Sequence, residues 1–241
     1  MDRRQERAMR CRRKIETKID RSKVTKPCTI AGRIFFVAIT GALIVVAGGG
    51  VAFIQRPIGI AYLAFALLWW SLSMMRRRGA ASTYDRKQHS IVIALGVVTG
   101  PLLILAPPWE YAHFTGPIPR DGPLAYAGLT LFAAGISLQA TAMRALGDFY
   151  TVRLGRQPGH RLVTSGPYRL IRHPGYLSYL LSMMGIGLAL SSLIGLGLVA
   201  LVFPFLLWRI RREEEMLIAE FDGEYKAYKK QTKWRLIPLV Y

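Results

Sequence analysis

The residues with the most chemical potential are concentrated in a short polar segment, residues 161–176, which lies between two long apolar stretches. The segment contains Arg172, His173 and Tyr176, together with glycines and prolines that favour turns. Pro174 suits the first turn of a helix, where its missing N–H group costs no hydrogen bond. The other N–H groups of that turn, with the nearby cations, predict a site for a carboxylate or a phosphate.

Carboxylates return near the same place, because Glu213-Glu214-Glu215 follows the last apolar stretch. The two apolar stretches between these segments share only a very short turn, so their far ends must lie close together. Cations on one side and carboxylates on the other suit a zwitterion better than a simple phosphate. The simpler alternative is that the glutamates pair with Arg209, Arg211 and Arg212, while the arginines of the polar segment mark a membrane boundary and His173 only caps a helix.

The composition indicates a membrane protein. The chain has 241 residues, of which 52% are hydrophobic, and a formal net charge of +19. Such a charge first suggests nucleic-acid binding. The distribution argues against a nucleic-acid partner, because the cations are grouped between apolar stretches long enough to cross a bilayer, for which about 20 residues suffice.

Six stretches predict an all-α, polytopic membrane helical bundle of about six transmembrane helices. The last two share only Ser191-Ser192 and are interpreted as a tight helical hairpin, with a single re-entrant segment as the alternative. Consecutive prolines, Pro107-Pro108, are expected to end the third helix. The predicted stretches are roughly 30–54, 57–75, 90–107, 123–143, 175–190 and 192–208.

The distribution of charge predicts the orientation of the bundle. With a cytoplasmic N-terminus, the outer loops contain only Arg56 and Arg120 of the 33 Lys and Arg residues, as the positive-inside rule requires. Both termini are therefore expected on the cytoplasmic side, in a bacterial cell membrane. After the last stretch, Leu217, Phe221, Tyr225 and Tyr228 form one apolar stripe, which predicts a C-terminal amphipathic helix.

The sequence shows none of the common metal-site, nucleotide-binding or nucleophile motifs. Its four histidines are scattered and neither cysteine has ligand spacing, so no metal site is predicted. There is no Walker motif and no glycine-rich dinucleotide fingerprint. A serine or cysteine nucleophile with a paired base is not visible either.

Three motifs in one order resemble the isoprenylcysteine carboxyl methyltransferase family and related phospholipid methyltransferases. They are Leu162-Val163-Thr164-Ser165-Gly166-Pro167-Tyr168, Arg172-His173-Pro174-x-Tyr176, and the Glu pair that precedes Phe221, Glu224-Tyr225 and Tyr228. The resemblance covers roughly residues 139–238. Charge and hydropathy predict a basic cytoplasmic tail at 1–29 and additional transmembrane helices at 30–113. The resemblance implies a membrane methyltransferase core at 114–241, with a cytoplasmic cofactor pocket.

The resemblance implies S-adenosylmethionine as cofactor. Its predicted cofactor-binding residues are His160, Leu162, Val163, Tyr168, His173, Pro174, Tyr176, Glu213 and Glu214. The predicted catalytic residues are Arg209, which matches an arginine associated with substrate, and Glu214. Three positions depart from the family pattern, namely Arg153 near the cofactor, Ser178 in place of a common glycine and Gly223 after Asp222.

The predicted function is transfer of a methyl group to a lipophilic or lipidated acceptor that enters from the bilayer, with membrane lipids as neighbours. Displacement at a sulfonium needs alignment more than acid–base groups, which agrees with the absence of a catalytic dyad. The acceptor stays open between a carboxylate, as in an isoprenylcysteine, and a lipid amine or thiol. Two alternatives are an NADPH-dependent enzyme of the sterol reductase type, which shares an Arg-His-Pro-x-Tyr segment, and a non-enzymatic membrane scaffold.

Overall fold

A computed structural model describes residues 30–74, 83–84, 86–149, 155–156 and 161–238. The predicted tail at 1–29, and with it any test of that prediction, lies outside the described residues. From Val37 onward the chain forms one compact unit, which contains every residue of the candidate site.

The described residues are almost entirely helical, as the sequence predicts. Two-residue strands, β1 (Thr83–Tyr84) and β2 (Gly155–Arg156), form an antiparallel pair, and single 3-10 turns cover Gly147–Phe149 and Gly166–Arg169. The helices are α1 (Ile30–Ala47), α2 (Val51–Ile54), α3 (Pro57–Met74), α4 (Arg86–His113), α5 (Pro123–Leu146), α6 (Pro174–Ala189) and α7 (Leu193–Gln231).

Two of the described helices, α5 and α7, are long and apolar enough to cross a membrane by length and composition. Ala31–Ala47 and Pro57–Ser73 are shorter apolar helices. The first predicted stretch, 30–54, is interrupted, because Gly49 and Gly50 adopt positive φ angles of 90° and 78° between α1 and α2. The count of six membrane-spanning helices stays a prediction.

The expectation that Pro107-Pro108 ends the third helix is wrong, since α4 continues to His113. Each proline removes one helical N–H donor and leaves the carbonyl four residues earlier without its partner. For Pro108 this is the carbonyl of Ile104, which instead accepts a hydrogen bond from the buried hydroxyl of Tyr62 at 3.0 Å. A tertiary contact from α3 thus compensates for the missing bond.

The hairpin predicted at Ser191-Ser192 is confirmed, because α6 ends at Ala189 and α7 begins at Leu193. Ser192 caps α7 by accepting a hydrogen bond from the N–H of Gly195. The buried Glu110 of α4 accepts from the Ser192 hydroxyl at 2.5 Å and from the N–H groups of Leu193 at 3.1 Å and Ile194 at 2.9 Å. A carboxylate at this position also complements the positive end of the helix dipole.

Small residues allow α5 and α6 to pack closely. A Cβ atom on Gly185 of α6 would lie 2.5 Å from the backbone nitrogen of Phe132 and 2.8 Å from the carbonyl oxygen of Gly128, both on α5. Close approach of backbones through small residues is typical of helices packed in membranes. This interface places the start of α6, and with it the polar segment, against the last turns of α5.

Gly185→Ala is therefore expected to lower the free energy of unfolding by about 1–3 kcal/mol, because backbone atoms of α5 must move. The measurement is the thermal unfolding midpoint in detergent. Gly197→Ala in α7 is the matched control, because a Cβ atom there meets nothing within 4 Å, and it should be neutral or stabilising by up to about 1 kcal/mol. Equal midpoints for the two variants would show that the α5–α6 contact is looser than described.

The C-terminal amphipathic helix stays a prediction. Residues 209–221 continue the last apolar stretch in α7, and a second helical segment follows up to Gln231. The helix is kinked at Asp222, whose φ of 31° and ψ of −104° are not helical. Beyond the kink, Tyr225 and Tyr228 of the predicted apolar stripe are buried.

Candidate functional site

The candidate site is built from four pieces of the chain. They are the loop at 161–173 with its 3-10 turn Gly166–Arg169, the first turn of α6, the middle of α7 from Arg209 to Glu214, and the extended residues 232–236 that follow α7. The fourth piece is called the C-terminal strap below. Gly166 has a φ of 62° and faces the side chain of Ala145 on α5. The loop therefore lies against α5, near the start of α6.

Glu214 is the centre of a buried charge cluster. Its side chain is only 4% exposed, and both of its oxygens face cations. Oε1 accepts a hydrogen bond from Arg172 Nε at 2.8 Å and lies 3.4 Å from His173 Nε2. Oε2 accepts from a terminal nitrogen of Arg235 at 2.7 Å and lies 3.8 Å from Lys229 Nζ. The carboxylate is thus already occupied by groups of the protein itself.

The surroundings of Glu214 keep it ionised. Burial alone would raise the pKa of this carboxyl, but the neighbouring His173, Arg235 and Arg172 side chains outweigh burial and hold the pKa well below its ordinary value. The cluster therefore carries a permanent negative charge at its centre, surrounded by permanent positive charges.

A second chain of contacts runs through Tyr176. Its hydroxyl donates to Glu213 Oε2 at 2.7 Å and accepts from Arg209 Nε at 2.7 Å. Arg209 is buried, and its guanidinium carbon also lies 5.9 Å from the centre of the Tyr176 ring. Arg209 and Glu213 are four residues apart and so lie on one face of α7, which explains how one tyrosine contacts both.

His173 lies between these two groups. It is buried and occupies the residue before α6, while its ring centre is 5.8 Å from that of Tyr176. Although His173 Nε2 is within ion-pair distance of Glu214, it has no partner with the geometry of a hydrogen bond among the described residues. It is a buried polar atom with capacity for a further contact.

The helix start offers fewer free N–H groups than expected. The amides of Tyr176 and Leu177 both donate to the carbonyl of His173 at 3.2 Å, and the amide of His173 itself donates to the carbonyl of Arg235 at 3.1 Å. The anion site predicted for the first turn of α6 therefore depends on side chains more than on backbone amides.

The C-terminal strap is the part of the site that sequence reasoning missed. Ile171 and Trp234 form a parallel bridge, and the Arg172 amide donates to the carbonyl of Trp234 at 3.0 Å. The Arg172 side chain also donates to the carbonyls of Thr232 and Lys233, each at 2.7 Å. One weak signal was available, because the cation Arg235 lies four residues after the end of the predicted helix at 209–231. Periodicity does not reveal which residues a short extended segment pairs with.

Most of the predicted site residues come together. Tyr168 is buried, with its carbonyl accepting from the Tyr228 hydroxyl at 2.7 Å. Leu162 and Val163 are half-buried in the loop. His160 and Arg153 lie outside the described residues. The structure brings together Tyr168, His173, Pro174, Tyr176, Arg209, Glu213 and Glu214, and the role of each stays a prediction.

The sequence matches a known family over part of its length. The profile of the isoprenylcysteine carboxyl methyltransferase (ICMT) family matches residues 128–219. The probable protein-S-isoprenylcysteine O-methyltransferase of Oryza sativa subsp. indica is 30% identical over 116 residues, which is 45% of this chain and 59% of that protein. The human protein-S-isoprenylcysteine O-methyltransferase is 33% identical over 112 residues, 45% of this chain and 39% of that protein.

A relative with a different name is also similar. The cobalt-zinc-cadmium resistance protein CzcN of Cupriavidus metallidurans is 36% identical over 104 residues, which is 43% of this chain and 46% of that protein. The chain thus spans between 39% and 59% of the length of these three curated relatives. The part that matches the family profile, residues 128–219, contains the start of α6 and the Arg209–Glu214 face of α7.

The fold has a counterpart among solved structures. The structure of a eukaryotic intramembrane Ras methyltransferase, ICMT, matches with a TM-score of 0.57 and 22% sequence identity, covering 87% of this chain and 76% of that one. At this identity the likeness concerns the fold alone. The described residues share the predominantly helical fold of that intramembrane protein.

Proposed function

We propose, from the membership of residues 128–219 in the isoprenylcysteine carboxyl methyltransferase family, that this chain is an integral membrane enzyme that moves a methyl group from S-adenosylmethionine to a lipophilic acceptor. The observation that carries the proposal is the Arg209–Tyr176–Glu213 chain of contacts beside His173. It combines a cation, a carboxylate and a buried imidazole at the end of two apolar helices.

The residues fit the polar groups of this cofactor. Only Oε2 of Glu213 contacts a described side chain, through Tyr176, so Oε1 is available to an ammonium group. His173 Nε2 has no hydrogen-bond partner among the described residues and suits a carboxylate or another acceptor. When bound, S-adenosylmethionine supplies a methyl group on a positively charged sulfur. Tyr168, with Leu162 and Val163, is proposed to cover the apolar and aromatic parts.

The two neighbouring glutamates receive different roles in this proposal. Glu214 is surrounded by Arg172, Arg235, His173 and Lys229, and an ammonium placed among these cations would be repelled. Glu213 instead accepts from the neutral phenol of Tyr176, and Arg209, the cation nearest to it among these contacts, lies on the other side of that hydroxyl. We therefore assign the ammonium to Glu213, and we assign to Glu214 the task of holding the walls of the site together.

Arg209 is the residue proposed to orient the acceptor. A guanidinium binds carboxylates with a fixed geometry, and a buried one is strengthened by the low local dielectric constant. A carboxylate acceptor needs no base, because it carries no proton to remove. The Tyr176 hydroxyl accepts from Arg209 Nε at 2.7 Å and so fixes the direction of the guanidinium. An S-isoprenylated cysteine with a free carboxylate is the acceptor class that these residues favour over an amine or a thiol.

The proposed topology has six membrane-spanning helices, both termini on the cytoplasmic side and the residues beyond Asp222 at the membrane surface. The two outer-loop arginines converge at the end opposite the site, where Arg56 and Arg120 lie 5.5 Å and 5.3 Å from the Tyr111 ring centre. Asp121 accepts from the Tyr111 hydroxyl at 2.8 Å. These contacts tie the outer loops together and support one polar end on each side of an apolar belt.

Glu213→Gln is expected to raise the Kd for S-adenosylmethionine by about 10- to 100-fold, because it removes one charged hydrogen bond. Isothermal titration calorimetry in detergent measures this value directly. Glu215→Gln is the matched control, since Glu215 is exposed and pairs only with Arg212 at 3.0 Å, and it should bind as the unmodified protein does.

The same titration separates the proposal from its alternatives. Binding of NADPH without binding of S-adenosylmethionine would favour the reductase. Binding of neither would favour the scaffold. Radiolabelled methyl transfer from S-adenosylmethionine into a total lipid and protein extract, followed by separation, then identifies the acceptor class.

A further inference from the structure

We propose that Arg235 is a positioning residue of this site, which acts through Glu214 to fix the rotation of α7 and the Arg172-His173 turn against each other. The inference rests on the proposed function, because its consequence is measured as affinity for S-adenosylmethionine. Arg235 lies beyond residues 128–219, the part that matches the family, and the sequence motifs gave it no role.

The C-terminal strap and the end of α7 contact the second half of the loop at 161–173, from Tyr168 to His173. The Tyr168 carbonyl accepts from Tyr228, and the Arg169 carbonyl accepts from the Thr232 hydroxyl at 3.2 Å. The amides of Arg172 and His173 donate to the carbonyls of Trp234 and Arg235. The proposed cofactor residues Tyr168 and His173 are therefore placed by the strap and by the end of α7.

Glu214 links the loop and the strap to α7 and so fixes the rotation of this helix relative to them. Its two oxygens are divided, with Oε1 on Arg172 and Oε2 on Arg235, so the carboxylate is gripped from the loop and from the strap. Successive residues of a helix point about 100° apart. When the direction of Glu214 is fixed, the direction of Glu213 is fixed as well. Arg209 lies one helical turn before Glu213 on the same face, so its direction is fixed too.

Loss of Arg235 would release one of these two grips. Glu214 would keep the hydrogen bond from Arg172 and the nearby cations His173 and Lys229, but no side chain of the strap would hold its second oxygen. The strap would lose the side-chain contact that Arg235 makes with α7. The expected consequence is a poorly placed Glu213 and His173, hence weaker cofactor binding, while the chemistry at the acceptor is unchanged once both ligands are bound.

The test compares Arg235→Gln, Arg235→Lys and the control Lys233→Gln, whose side chain is exposed two residues earlier. For Arg235→Gln we expect the Kd and the KM for S-adenosylmethionine to rise by about tenfold, as for loss of one charged hydrogen bond, with kcat changed less than the KM. A terminal guanidinium nitrogen of Arg235 donates to Glu214, and a lysine ammonium can supply the same charge and a donor. Arg235→Lys should therefore recover most of the affinity, and Lys233→Gln should leave it unchanged.

Glu214→Asp is a second, independent variant, which keeps the charge but shortens the reach to Arg235. It is measured where Arg235→Gln yields no folded protein, and it should raise the same Kd. A merely structural role would lower the unfolding midpoint of these variants but leave the Kd unchanged at a temperature well below that midpoint, and that result would overturn the inference. Failure of the unmodified protein to bind S-adenosylmethionine would instead refute the proposed function.

Discussion

Glu214→Ala is expected to abolish both the folded state of the candidate site and binding of S-adenosylmethionine. The substitution leaves Arg172 and Arg235 buried or half-buried without a carboxylate, next to His173 and Lys229. Removing one partner of a buried ion pair typically costs about 3–5 kcal/mol, because the remaining charge is desolvated without compensation. This is a large part of the stability of an ordinary domain, which is about 5–15 kcal/mol.

The measurement is the unfolding midpoint in detergent together with the fraction of monodisperse protein. Glu215→Ala is the control, because Glu215 has a side chain that is 63% exposed and a salt bridge on the surface, and such pairs contribute at most about 1 kcal/mol. A Glu214→Ala variant with the midpoint of the Glu215→Ala variant would show that the cluster is solvated and that Glu214 is free to act as a ligand.

Arg209→Leu is expected to reduce methyl transfer to an S-isoprenylated cysteine by at least about 10²-fold, with a smaller effect on the Kd for S-adenosylmethionine. Preorganised charged donors that contact the reacting group are typically worth about 10²–10³ in rate. Arg209 is buried at the end of the apolar part of α7 and is held by the Tyr176 hydroxyl. Leucine keeps an apolar side chain at this buried position but supplies neither charge nor donors.

The methyl transfer rate of Arg209→Lys is expected to lie between those of the unmodified protein and Arg209→Leu. A lysine keeps the charge but cannot reproduce the fixed geometry of the guanidinium. Arg212→Leu is the matched control on the same helix, since Arg212 is exposed and pairs with Glu215, and its rate should stay unchanged. The rates are measured by transfer of a radiolabelled methyl group to the prenylated cysteine in detergent. The methyl amide of the substrate accepts no methyl group, so its binding is measured as competitive inhibition. Arg209→Leu should weaken binding of the carboxylate substrate more than binding of this amide, and equal losses of affinity would contradict the role in orienting a carboxylate.

The two ends of the α6–α7 hairpin illustrate what the sequence could predict. The turn at Ser191-Ser192 follows from two apolar stretches with only small polar residues between them, and the structure confirms it. The proximity of the Arg172-His173 turn to Glu213-Glu214 follows from that hairpin. These inferences succeeded because a short turn constrains long helices, whatever the details of side-chain packing.

Other features depended on contacts that no local pattern records. Pro107-Pro108 does not end α4, because a tyrosine on another helix donates to the carbonyl that Pro108 leaves free. Glu213 and Glu214 are neighbours of one type, but the rotation of α7 gives them a phenol and a cluster of cations as respective partners. That rotation is set by tertiary packing, which residue types and spacing alone do not determine.

The carboxylate of Glu110 gives the early helices a part in the geometry of the site. It holds the first turn of α7, while Glu214, further along the same helix, is gripped by the loop and the strap. A rod fastened at two separate points can neither slide along its axis nor turn about it. Glu110 belongs to the predicted additional helices at 30–113, whereas α7 belongs to the predicted core at 114–241. The earlier helices therefore provide one of the two contacts that hold α7 in place, and the distances in the site depend on them.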